Sequence, residues 1–195
     1  MNNPQKCVQK RVVSHLADWT PLVQQRAFRR ILDAFSYPGR IVELETRSAH
    51  ALPLVLATLT DPATTLADPC DLIGAADRQR LGVRTATADQ AQYVVMPGHQ
   101  VADFEPASGT LDSPEKGATL VLVAEEIKQG NGLSLSGPGI QSNQTLEVTG
   151  VDPQWWKRRM QWNCAFPLGV DVMLVTERSV VALPRTIKVS VEGGR

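Results

Sequence analysis

Apolar residues recur along this chain with two spacings. Over residues 27–35, Ala27, Phe28, Ile31, Leu32 and Phe35 fall three and four apart, the mark of an amphipathic helix, while Arg26, Arg29, Arg30 and Asp33 lie off the stripe. Thr20-Pro21 opens that helix with a hydroxyl cap and a proline whose missing N–H needs no partner, and Pro38-Gly39 closes it. Leu52, Val55, Leu56 and Leu59 make a second stripe that stops at Asp61-Pro62. Leu72, Ile73, Ala76 and Leu81 predict a third helix, opened by Asp68-Pro69 and closed by Gly82. A fourth follows Asp152-Pro153, where Trp155, Arg159, Trp162 and Phe166 share one side.

The second spacing belongs to strands. Short apolar, β-branched runs at 40–44, 64–67, 92–96, 118–124 and 145–148 predict them, and residues 99–117 carry too little periodicity to assign. Gly130-Asn131-Gly132 supplies the positive-φ residues of a tight turn before the alternating Leu133-Ser134-Leu135-Ser136, which predicts a hairpin there. Residues 164–191 are the most individual part. The runs 170–175 and 180–183 flank a polar turn, Glu177-Arg178-Ser179, and read as a central hairpin apolar on both faces. Asp171 inside the first run then needs a partner, and Arg185, just beyond Pro184, is placed to give a bidentate one. Helices alternating with short strands predict a layered α/β domain. We expect residues 1–19 to form an N-terminal arm and residues 20–195 a single α/β domain.

Composition narrows the function. With 195 residues, 43% of them hydrophobic, the chain can bury one good-sized core. Twenty basic residues balance twenty acidic ones, which argues against a broad footprint for nucleic acid or an anionic membrane. No apolar run suits a membrane span or a signal peptide, so a cytoplasmic protein is expected. Cys7, Cys70 and Cys164 are scattered, as are His15, His50 and His99, so neither a metal site nor a disulfide framework is expected. Three cysteines also fall short of the roughly four thiolates of an all-cysteine iron-sulfur centre.

Few residues suggest chemistry on their own. No GxSxG elbow and no HExxH occurs. Gly137-Pro138-Gly139 is the nearest thing to an anion loop, yet it also reads as a turn between strands. Lys157-Arg158-Arg159 beside Trp155, Trp156 and Trp162 suits stacking on a base, but packing of the aromatic face with a solvated basic face explains it equally well; we favour packing, with docking on a protein partner as the exception. A structural ion pair is the commoner meaning of Asp171 and Arg185.

Five blocks taken together are more specific. They are 28–39 (FRRILDAFSYPG), 117–120 (GATL), 135–140 (LSGPGI), 166–171 (FPLGVD) and 182–186 (ALPRT). In this order they resemble the PhnH family, small subunits of the bacterial carbon-phosphorus lyase machinery that degrades phosphonates. The resemblance implies a three-layer α/β sandwich with a mixed sheet, similar to the pyridoxal-phosphate-dependent transferases but without the cofactor. None of Lys116, Lys128, Lys157 and Lys188 has the setting of a Schiff-base lysine. It further implies partner subunits of the G, I and J types, a homodimer when the chain is alone, and a part in the ATP-dependent formation of ribose 1-phosphonate 5-triphosphate. The radical, iron-sulfur step would then belong to another subunit. The resemblance assigns no catalytic residue, and whether the chain is itself an enzyme stays open. Gly137, Gly139, Asp171, Arg185 and Thr186 are the candidates for a cleft or subunit contact, with fold maintenance as the competing reading. Two other functions remain open: a stand-alone pyridoxal-transferase-like enzyme and a non-catalytic interaction module.

Overall fold

A computed structural model describes residues 11–101 and 103–191. Among the described residues four α-helices are formed: α1 (Pro21–Ser36), α2 (Leu52–Leu59), α3 (Ala75–Leu81) and α4 (Gln154–Trp162). The strands are β1 (Val42–Glu43), β2 (Thr65–Ala67), β3 (Arg84–Thr85), β4 (Tyr93–Pro97), β5 (Ser108–Thr110), β6 (Ser113–Gly117), β7 (Thr119–Val123), β8 (Glu126–Ser136), β9 (Gln144–Thr149), β10 (Asp171–Val175), β11 (Ser179–Leu183) and β12 (Lys188–Val191). The protein is α/β. Seven strands build one mixed sheet in the order β1-β11-β10-β7-β4-β2-β3. Strands β10, β7, β4, β2 and β3 run parallel, and β11 is antiparallel to both β10 and β1. A second sheet has the order β12-β8-β9, and β5 and β6 form a separate hairpin.

The central strands are buried on both faces, as their unbroken apolar runs require. Val94, Val95 and Met96 of β4, Leu120, Val121 and Leu122 of β7, and Met173, Leu174 and Val175 of β10 have no exposed surface. Helix α1 packs Ala27, Ile31 and Ala34 inward, and α2 is apolar nearly all round and buries Leu52, Leu54, Val55 and Leu56. Ile127, Leu133 and Leu135 of β8 join the same core with Leu146 of β9 and the tryptophans of α4.

Residues 11–19 lie against this body. Val12 N–H donates to Leu72 O at 2.8 Å, and Ser14 hydrogen-bonds Asp77 through backbone and hydroxyl. Asp18, at the short 3-10 turn Leu16–Trp19, is buried and accepts from Thr46 Oγ1, Ser48 Oγ, and the N–H groups of Arg47 and Ser48. Burial alone would raise the Asp18 pKa, but these donors hold it below the ordinary carboxylate value.

Several expectations need correction. The third helix is shorter: Asp68 does not cap it but accepts from Leu72 and Ile73 N–H in a turn, and Leu72 and Ile73 are buried ahead of α3. Gly130-Asn131-Gly132 is not a hairpin turn. Strand β8 runs through it with a shift in pairing against β9, so the glycines absorb a bulge and the reversal comes after Ser136. On α1, Phe28 and Leu32 stand outside the buried line, each about half exposed. Phe166 is 70% exposed and does not share the buried side of α4. Cys70 is disulfide-bonded rather than a bystander thiol, Cys164 is free and exposed, and Cys7 lies outside the described residues.

Candidate functional site

Asp171 opens β10 in register with Thr119 of β7, which in turn sits opposite Tyr93 of β4. Its carboxylate therefore stands at the end of the central strands. Proline at position 184 follows β11, and the backbone beyond it brings Arg185 onto that carboxylate. The Arg185 backbone N–H donates to Oδ1 at 2.7 Å, Nε donates to Oδ1 at 3.3 Å, and Nη2 donates to Oδ2 at 2.7 Å. The pairing is bidentate, as its sequence position suggests. The same guanidinium donates from Nη1 to Pro114 O at 2.7 Å and from Nη2 to Gly117 O at 3.5 Å. Arg185 thus joins the central sheet to β6. With most of its donors engaged, it acts as a clasp.

The residues around this pair are close-packed. A Cβ at position 117 would collide with the Gly169 carbonyl and the Arg185 guanidinium. At Gly137 a Cβ would come within 3.1 Å of Ile187 Cα and 3.3 Å of Thr186 O. Gly139 has φ +81°, and its Cβ would lie 2.7 Å from Pro38 Cδ and 2.8 Å from Ser36 O. The 137–139 turn is therefore wedged between the end of α1 and the segment after Arg185. All five candidate residues are linked in space through that wedge and the Asp171 pair, together with the 36–39, 117–120 and 166–171 blocks.

They do not converge on one cavity. Arg185 and Thr186 line a cleft of about 550 Å³ together with Arg159, Met160 and Phe166. Gly139 lines another, of about 630 Å³, with Tyr37, Arg40, Gln129 and Gln144. In the second cleft the Arg40 guanidinium lies 3.9 Å from the Tyr37 ring centroid.

Sequence reasoning read Arg159 as part of a basic run on the tryptophan helix and did not connect it with the segment after β11. It is 3% exposed, and donates from Nη2 to Pro184 O at 2.6 Å and to Leu183 O at 3.3 Å, and from Nη1 to Ile187 O at 3.3 Å. Its Nε is buried without a hydrogen-bond partner. Burial pushes its pKa down to about 10, with the Asp171 charge acting the other way. The signal was present in the sequence: Arg159 lies on the Trp155 and Trp162 side of α4, so it is carried inward with them. Neighbouring Tyr93 is raised, first by burial and then by Asp171.

Lys116, Lys128, Lys157 and Lys188 are all exposed, which is a poor setting for a Schiff-base lysine. Among the described residues, no group of three or more His, Cys, Asp and Glu could hold a metal ion, and no helix is long and apolar enough to cross a membrane.

Comparison with known proteins decides what this junction belongs to. The family model for the bacterial phosphonate metabolism protein PhnH matches residues 17–190. The chain belongs to the PhnH family. Among its relatives is the C-P lyase subunit protein HtxG of Stutzerimonas stutzeri, 46% identical over 175 residues that cover 90% of each chain. Another is the alpha-D-ribose 1-methylphosphonate 5-triphosphate synthase subunit PhnH of Rhizobium meliloti, 29% identical over 86% of this chain and 90% of that protein. The PhnH match spans every strand and helix placed around Asp171 and Arg185.

Proposed function

We propose that this chain is a subunit of a carbon-phosphorus lyase system, required for phosphonate catabolism in the cytoplasm. It works beside the catalytic subunits of that system in forming ribose 1-phosphonate 5-triphosphate. The observation that carries this reading is the family match over residues 17–190, joined to relatives named as subunits of such systems. The geometry supports a supporting role: Asp171 and Arg185 spend their charge on each other and on backbone carbonyls. Partner subunits of the G, I and J types, and a homodimer when the chain is alone, belong to the same reading. So does kinship with the pyridoxal-phosphate transferases in a three-layer arrangement, which the seven-stranded mixed sheet supports. Gly137, Gly139, Asp171, Arg185 and Thr186 then shape the surfaces that partners or ligands meet.

Deleting the chain from a phosphonate-utilising cell is expected to abolish growth on methylphosphonate as sole phosphorus source, with normal growth on phosphate. Unimpaired growth on methylphosphonate would overturn the reading.

A further inference from the structure

Strand β12 ends its sheet. In the order β12-β8-β9 it pairs only with β8, so among the described residues its outer edge carries no strand. An edge of this kind presents unpaired N–H and C=O groups to whatever lies alongside. What lies alongside here is the cleft of about 550 Å³, lined by six consecutive residues of this segment, Arg185 through Ser190. Its opposite wall is α4 with Arg159, Met160 and Asn163. A groove between a free strand edge and a helix is the geometry in which an extended peptide adds as a further strand and lays alternate side chains against the helix.

The walls also state the chemistry of the guest. Met160 is 65% exposed and Phe166 70%, which offers apolar surface for alternate side chains. Of the cations that line the groove, Arg159 is buried on backbone carbonyls and Arg185 is paired with Asp171, so Lys188 is the exposed one, and no carboxylate side chain lines the groove to oppose it.

We propose that the β12 edge and α4 form a docking groove for an extended, acidic segment of a partner subunit, which adds to the β12-β8-β9 sheet as a fourth strand. This rests on the subunit reading above. Lys188 favours the segment's carboxylates, Met160 and Phe166 hold its apolar positions, and backbone hydrogen bonds supply the register.

The test uses the full chain, alone and co-expressed with the other subunits of its phosphonate-degrading system. Hydrogen exchange is expected to slow about tenfold or more at amides of residues 188–191 on assembly. Lys188→Glu and Met160→Asp, both at exposed positions, are expected to keep the melting temperature of the free chain and to lower recovery of the complex at least about tenfold, a loss of about 1.4 kcal/mol. If the complex forms with unchanged exchange at 188–191, or both variants assemble like the parent, strand addition is overturned and the subunit reading stands. If instead tripolyphosphate raises the melting temperature of the parent but not of Lys188→Glu, and exchange is unchanged on assembly, the groove takes a small anion and the proposal falls. Failure of the parent chain to form any complex would overturn the subunit reading and this inference with it.

Discussion

Arg185 and Arg159 serve the same short segment, and the protein treats their charges differently. Arg185 meets a carboxylate squarely, with Asp171 accepting from its side chain and its backbone. Arg159, more deeply buried, meets only carbonyl dipoles at Leu183, Pro184 and Ile187 and keeps one donor unpartnered. Its depressed pKa is the signature of a cation held where water would serve it better. His50 shows the remaining option. Its Nδ1 accepts from Leu52 N–H at 3.0 Å, its Nε2 is buried without a partner, and burial lowers its pKa to about 4, so it sheds the proton. A histidine can escape burial by becoming neutral, whereas arginine has to be bonded where it lies.

The sharpest way to break this contrast is Arg159→Ala, which strips donors from three carbonyls and removes a buried stem. We expect a loss of about 3 kcal/mol in urea unfolding; a loss below about 1 kcal/mol would show that the carbonyls find water. A pH series tests His50. Its folded pKa lies below the unfolded value of 6.5, so its contribution is fully present above pH 6.5 and is lost as pH falls toward 4. That shift corresponds to roughly 3 kcal/mol at most, and His50→Asn, which keeps an acceptor for Leu52 N–H, is expected to flatten the slope.

Asp171→Asn comes next. The side chains of the pair are 13% and 20% exposed, so leaving Arg185 unmatched is expected to cost about 2 kcal/mol. Combining Asp171→Asn with Arg185→Met is expected to cost less than the sum of the single changes, and strict additivity would show that the two do not interact. The smallest effect is expected at the surface. Arg26→Ala breaks an ion pair with Glu45 at 3.4 Å between well-exposed groups, and its loss is expected to stay within about 0.5 kcal/mol.

The elements whose burial repeats with one clean period were legible in the chain. Helix α1, α2, α4, the β10–β11 hairpin and the Asp171–Arg185 pair all follow from spacing and from one charge out of place. Elements held by partners distant in sequence were not. The β5–β6 hairpin is polar, and Arg185 ties its second strand down from far along the chain. Gly130-Asn131-Gly132 has the local grammar of a turn, but Leu133 and Leu135 are worth more in the core than outside, so the strand continues and bulges. The candidate glycines were found as a motif. What they do, letting two backbones touch, depends on neighbours that no single segment contains.

The order of strands in the large sheet has a consequence for synthesis. Among the described residues, strand β1 pairs only with β11, well over a hundred residues further along, and β10 is the partner that closes β7 on its second edge. Until residues 171–183 leave the ribosome, β7 is paired with β4 on one edge and presents an apolar, unpaired edge on the other. The native sheet is therefore completed only once residues 171–183 are available, by contacts between segments far apart in sequence. A stalled or truncated product lacking residues 171–183 is left with that edge open, a species for chaperones and proteases rather than for assembly.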